Sequence, residues 1–317
     1  MAAPPSERKL DGMPSLPPLY ARAALGGAIA SLPASGLLGR LPLVPGGGGD
    51  VLPPTGLAVD DVVADVDALA AYCRVCGFTM GDTLPVTFPH VLAFPLQMKL
   101  MTDDAFPFPL LGLVHIDNSI TQHRPIGIAE TIGIAVRAED MRPHPKGTAI
   151  SLIAEARAGG QLVWEETGTI LHRGPGQAAS AVLSGPEPVA DDVPATSQWR
   201  LDGDLGRRYA AASGDRNPIH LHRLSARALG FPRAIAHGMW SKARCLAQLE
   251  GGLPSSYTVE ARFRKPVLLP GTVGFAAVDR GEGRVSFAVR SSRPALDGEP
   301  GGPVVHLQGS ILPAGQS

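Results

Sequence analysis

Cysteine is scarce in the 317-residue chain, with Cys73, Cys76 and Cys245 the three present. So small and odd a count excludes a disulfide-built scaffold and fits a reducing compartment. Aromatic residues make up 5% of the sequence, and lysine occurs five times against 23 arginines. Net charge is equally low: 28 Lys+Arg against 29 Asp+Glu leave −1. That balance excludes the basic surface of a nucleic-acid binder and the polybasic stretch of a membrane-surface protein. Long apolar runs are missing as well. The one candidate membrane or signal segment, residues 23–39, is rich in Ala, Gly and Ser, contains Pro33 and starts well after Met1. It reads as part of an N-terminal arm. What the chain does have is 44% hydrophobic residues beside 18% charged ones, enough to bury one large or two ordinary cores. A cytoplasmic protein with neither nucleic acid nor membrane as partner is the expectation.

Composition divides the chain. Residues 1–56 are rich in Pro, Gly and Ala, include the glycine run 46–49, and predict a loose arm. Residues 174–197 hold few large apolar side chains and predict a linker. The segments on either side of that linker, 57–173 and 198–317, are of similar length and repeat one another. Phe88-Pro89 aligns with Phe231-Pro232, and Lys99 with Lys242, at an offset of 143. Arg124-Pro125-Ile126 aligns with Lys265-Pro266-Val267, and Gly168-Thr169-Ile170-Leu171 with Gly309-Ser310-Ile311-Leu312, at 141. Tyr72 and Gly77 align with Tyr209 and Gly214 at 137. Matches in order, with offsets drifting by a few residues, predict two copies of one fold.

Each copy has one local grammar. A short helix comes first, in the first copy from Asp67 as N-cap to Cys76 with Gly77 closing it. An apolar helix follows (residues 93–101; 237–249), then strand-like runs at 148–156 and 161–171, and at 257–263, 271–278, 284–290 and 303–312. A long apolar helix followed by consecutive antiparallel strands is buried only if the sheet wraps it. The fold class expected is therefore α+β, a hot dog in which sheet wraps helix, here doubled.

The second copy carries the chemistry. Its first helix runs into Ser213-Gly214-Asp215-Arg216-Asn217-Pro218-Ile219-His220, where Ser-Gly-Asp and Asn-Pro are turn formers. Asp215 and His220, five apart in an irregular segment, are able to converge. A carboxylate beside an imidazole can orient a water, take its proton and return it. His237-Gly238 opens the apolar helix, where unpaired N–H groups and the helix dipole favour an oxyanion, and a glycine lets a carbonyl approach.

This ordered pattern, continuing through Gly230-Phe231 and His237-Gly238-Met239, resembles the MaoC-like or hydratase 2 family of R-specific enoyl-CoA hydratases and 3-hydroxyacyl-thioester dehydratases. The resemblance covers the second half and, through the repeat, the double-hot-dog layout of longer members. It implies Asp215 and His220 as the catalytic pair, the Gly238 amide as oxyanion donor, and Asn217 as support for the catalytic loop. Two further residues read as supporting from their places alone: Ser213 by packing and capping, and His237 by positioning the loop or bonding the helix start. The reaction implied is interconversion of trans-2-enoyl and (R)-3-hydroxyacyl thioesters. It calls for no metal and no cofactor beyond coenzyme A or acyl carrier protein in the substrate. A non-catalytic acyl-thioester binding subunit and a hot-dog thioesterase are the alternatives.

The first copy departs from the motif. Phe78 stands where Asp215 would, six residues are missing between Gly77 and Phe88, and Phe94-Pro95 replaces His237-Gly238. Freed from chemistry, its apolar helix, with Phe94 and Leu96, and the run from Phe106 to Leu111 are candidates for an acyl-tail pocket, or else simply core. Arg262, Arg264 and Lys265 are candidates for coenzyme A phosphates, or else a solvated strand edge. Cys73 and Cys76 form a single C-x-x-C that cannot close a zinc site alone and reads as core-facing. Two fused copies predict a pseudo-dimeric monomer or a homodimer.

Overall fold

The computed structural model describes residues 6–30, 51–110, 112–176, 185–293 and 302–314. The glycine run 46–49, residues 31–39 of the candidate membrane segment, Leu111 and linker residues 177–184 lie outside the described residues.

The chain opens with β1 (Glu7–Lys9) and α1 (Leu16–Ala30). The first copy follows as β2 (Gly56–Val62), α2 (Val66–Cys76), α3 (Phe88–Met101), β3 (Leu113–Gln122), β4 (Ile132–His144), β5 (Gly147–Ala158) and β6 (Gln161–Arg173). The second copy repeats that order as β7 (Ser197–Leu201), α4 (Leu205–Ser213), α7 (Gly238–Leu249), β8 (Tyr257–Phe263), β9 (Gly271–Gly281), β10 (Arg284–Arg293) and β11 (Gly302–Pro313). Two short helices, α5 (Pro218–Leu221) and α6 (Arg223–Ala228), fill the stretch that the first copy lacks. The matched residues fall where a repeat requires. Gly77 and Gly214 both end a helix in the left-handed conformation, at φ 86° and 78°. Ile170 of β6 and Ile311 of β11 are both buried.

Two compact units form, and they do not follow the halves of the sequence. Unit 1 holds Met1–Ala64, Pro89–His115 and Ala129–Val182; unit 2 holds Asp65–Phe88, Ile116–Ile128 and Leu183–Ser317. In unit 1 the strands run β1-β2-β4-β5-β6, antiparallel except for the β1–β2 pair. Ile134, Val136, Ala154 and Ala156 are among the buried residues of β4 and β5, and α3 buries Ala93, Leu96, Met98 and Leu100 among others. In unit 2 the antiparallel order is β7-β9-β10-β11-β8, with Asp117–Gln122 of β3 extending it beyond β8. Here α7 buries Met239, Trp240, Ser241, Lys242, Ala243, Cys245 and Leu246. Burial on nearly every side marks a helix enclosed by its sheet.

Three local expectations are corrected. The N-cap of α2 is Asp65, not Asp67: its side chain accepts from the Ala68 amide at 2.8 Å, and Asp67 lies in the first turn beside the positive end of the helix. Helix α3 starts at Phe88 rather than Ala93, because Pro89 falls in the first turn, where its missing N–H costs nothing. The arm is not loose over residues 7–30. Glu7, Arg8 and Lys9 pair in register with Gly56, Leu57 and Ala58, and Arg22 Nε donates to the Thr102 carbonyl at 2.7 Å. The described part of the linker is also ordered. Val189 is buried against Ala276 and Ala288, and Arg290 donates to the carbonyls of Val189 and Asp191.

Candidate active site

A chain of local hydrogen bonds shapes the segment from Ser213 to His220. Gly214 ends α4 with its N–H on the Ala210 carbonyl. The Ser213 hydroxyl then accepts from the Asp215 amide (3.2 Å), and Asp215 Oδ1 from the Asn217 amide (3.0 Å). Asn217 Oδ1 in turn accepts from the Ile219 amide (3.3 Å), making Asn217 the N-cap of α5 with Pro218 following it. Each short polar side chain replaces a backbone partner that an irregular segment lacks. The result sets His220 on α5, 8% exposed, with its Nδ1 2.8 Å from the Ile235 carbonyl. A carbonyl only accepts, so Nδ1 carries the proton and Nε2 the lone pair.

His237 caps α7 and closes the site. Its Nε2 lies 3.0 Å from the Asp215 main-chain oxygen and 3.7 Å from Asp215 Oδ2. Its ring stacks on His220 with centroids 3.6 Å apart, and Tyr209 lies against it at 4.7 Å. Asp215, His220 and His237 thus meet, as the sequence proposed for the first two. Burial pulls His237 down to about 3, helped by neighbouring His220 and opposed by Asp215. Burial also lowers His220, again against the pull of Asp215. Both rings are therefore neutral near pH 7, and His220 is set to accept a proton.

Glycine has two structural roles here. A Cβ on Gly238 would lie 3.1 Å from the Phe263 ring, so a larger residue at this helix start would press on Phe263, which would have to shift by a few tenths of an ångström. A Cβ on Gly206 would fall 2.0 Å from the His220 carbonyl oxygen, so only glycine lets α4 pass His220. The sequence reading overlooked Gly206 and Phe263, which no local pattern announces. In the first copy, Phe94-Pro95 sits in the middle of α3 rather than at a helix start, and Pro95 has no N–H to offer.

The remaining candidates separate. Arg262 Nε lies 2.6 Å from Asp117 Oδ1, whereas Arg264 is exposed beside Gln308 Oε1 and Lys265 is exposed. Phe94 and Leu96 are buried in unit 1. Cys73 and Cys76 are buried, and burial raises both thiols, as suits core residues. The ligand atoms of Asp215, His220 and His237 lie within 4.8 Å of one another, close enough for a cation. Yet each imidazole has one nitrogen on a carbonyl, and the rings lie face to face at 24°, so their in-plane lone pairs run side by side instead of converging.

The neutral histidines set an acid limit on stability. Their folded pKa values lie below the ordinary 6.5, so at low pH the unfolded chain binds more protons than the folded one. The stability they confer is complete above pH 6.5 and is lost as pH falls below it, for His237 down to about 3. Each group contributes a slope of at most about 1.4 kcal/mol per pH unit. Urea unfolding from pH 7 to 4.5 should show that loss, and His237→Gln should reduce the slope by up to one proton. An unchanged slope in the variant would mean His237 is charged in the fold.

Comparison with known proteins places this geometry. Residues 188–292 match the family model "MaoC like domain". The chain is 36% identical over 253 residues, 80% of it and 89% of the relative, to 3-hydroxyacyl-thioester dehydratase X of Mycobacterium tuberculosis. The crystal structure of HtdX from that organism superposes with a TM-score of 0.68 at 34% identity, over 81% of this chain and 98% of that one. A MaoC-like dehydratase from Phytophthora capsici gives a TM-score of 0.66 at 15% identity, over 82% and 95% of the two chains. A Mycobacterium tuberculosis protein described as having a double hotdog fold gives 0.52 at 14%, over 81% and 96%. The architecture is a double hot dog. The chain belongs to the MaoC-like dehydratase family. Among the described residues no helix is long and apolar enough to cross a membrane, which leaves β-barrels unaddressed.

Proposed function

We propose that the protein is a hydro-lyase interconverting trans-2-enoyl and (R)-3-hydroxyacyl thioesters. The observation that carries this reading is the meeting of Asp215 with a neutral, buried His220 whose Nδ1–H is held by the Ile235 carbonyl. In the hydration direction the pair holds a water and takes its proton as the oxygen attacks the β-carbon, and one of the two returns a proton to the α-carbon. The Gly238 N–H, at the first turn of α7, stabilises the enolate-like oxygen, a role typically worth roughly 3–4 kcal/mol. Ser213, Asn217 and His237 hold this frame by the bonds described above. The thioester itself acidifies the α-proton, so we assign no metal or redox cofactor, and the face-to-face imidazoles support that assignment.

Substrate recognition follows the same reading. Arg264 and Lys265 take coenzyme A phosphates, with Arg262 braced by Asp117. The acyl tail is assigned to the apolar residues Phe94 and Leu96 of α3. Coenzyme A or acyl carrier protein as the carrier, a pseudo-dimeric monomer or homodimer, and a cytoplasmic setting complete the proposal. The free, buried cysteines support the reducing compartment.

Crotonyl-CoA tests the reading. Loss of the enoyl absorbance without release of free thiol is expected. Thiol release would identify a thioesterase, and no change in either signal a binding subunit. With a chain-length series, Leu96→Trp or Phe94→Trp should raise KM for long chains and spare crotonyl-CoA. Equal damage at every length would mean these residues are packing alone.

A further inference from the structure

Lys242 is fully enclosed in unit 2, an unusual place for a lysine. It lies on α7 four residues after Gly238, one helical turn from the amide assigned to the oxyanion. Its Nζ donates to Asn118 Oδ1 at 2.5 Å, to the Val259 carbonyl at 2.9 Å and to the Asn118 carbonyl at 3.3 Å. Three acceptors match the three N–H bonds of an ammonium, one more than a neutral amine offers, so the side chain is held as a cation. Strand β8 supplies both the Val259 carbonyl that binds the ammonium and the Phe263 ring that closes against Gly238. Helix α7 and strand β8 therefore frame the cation and the amide together. The repeat partner Lys99, in the copy without the catalytic pair, is only partly buried.

We infer that Lys242 is a positioning residue for the oxyanion site: it fastens the first turns of α7 to β3 and β8, and its buried charge adds to the positive potential at the Gly238 amide. An enolate oxygen gains from that potential more than the neutral thioester carbonyl does, so the effect falls on the transition state. The inference rests on the hydro-lyase reading.

The test exploits Asn118. Asn118→Asp keeps the shape and the hydrogen bond to Nζ while placing a negative charge beside the ammonium, whatever else the ammonium touches. In the full-length protein, kcat for crotonyl-CoA should fall about tenfold, the scale of one unit charge acting through a low-dielectric interior over a helical turn or two. KM should be unchanged and the melting temperature equal or higher. A kcat within twofold of wild type would overturn the inference, as would a loss of kcat that tracks a lower melting temperature, which fastening alone explains. A second readout needs no turnover. The infrared carbonyl band of isotope-labelled butyryl-CoA, a saturated analogue, should lie lower when bound to wild type than to Asn118→Asp. Identical bands would also overturn the inference. Failure of wild type to hydrate crotonyl-CoA would instead overturn the functional reading and leave the infrared comparison standing.

Discussion

Asp215→Asn is expected to lower hydration of crotonyl-CoA by on the order of 10²–10⁴-fold, the usual cost of losing a general base. The substitution preserves the side-chain oxygen that accepts from the Asn217 amide, so the loop should keep its path and the loss should be chemical. Two electrostatic effects enter the expectation. In the proposed reaction the carboxylate is the base that receives or returns a proton. It also opposes the burial that lowers His220 and His237, so without it both imidazoles become still harder to protonate. His220→Ala should cost a similar factor, and the double variant little more, because two groups sharing one proton path act as a unit. His220→Ala removes a buried ring that stacks on His237 and bonds the Ile235 carbonyl, so its melting temperature must be followed. Asp215→Asn retaining more than about a tenth of wild-type kcat, with melting unchanged, would show that Asp215 is not a general base.

How much of this was legible in the sequence depends on the range over which each residue acts. The segment from Ser213 to His220 folds by bonds between residues two or three apart, so residue order alone carries its shape. Helix ends capped by Gly77 and Gly214 were legible for the same reason. Asp65 was missed as a cap because two aspartates compete for the start of α2, and the choice depends on which one reaches the Ala68 amide. Gly206 and Phe263 act across space, on the His220 carbonyl and on Gly238, and neither leaves a mark in its own neighbourhood. Lys242 did leave one, as a match to Lys99. The match marked kinship between the copies and gave no hint that one lysine is enclosed and the other partly solvated. The membership of the units was hidden most deeply. The repeat divides the chain at the linker, but β3 pairs with β8 from Asp117↔Arg262 to Gln122↔Tyr257, and no periodicity records which strand lies beside which.

That pairing governs the outcome of truncation. A fragment of residues 194–317 contains Asp215, His220 and Gly238, yet it should be insoluble or inactive. Unit 2 also includes Asp65–Phe88 and Ile116–Ile128, and the fragment lacks both. Without β3, the edge of β8 is bared along six register positions, an invitation to intermolecular pairing. Lys242 loses both Asn118 oxygens, and removing one partner of a buried charged group typically costs about 3–5 kcal/mol. Trp240 loses the Val75 carbonyl that accepts its indole N–H at 2.8 Å, and Tyr209 loses the Tyr72 ring beside it. Losses of this kind are large against the roughly 5–15 kcal/mol by which a domain is stable. They also fall on α7, whose first turn holds the amide proposed for the oxyanion, and on Tyr209, whose ring lies against His237. A fragment that folds marginally should therefore still be inactive. Expression, solubility and crotonyl-CoA turnover of the fragment and the full chain are the measurements. A soluble fragment turning over at the wild-type rate would show that α2 and β3 are dispensable to the site, and that Lys242 is satisfied without Asn118.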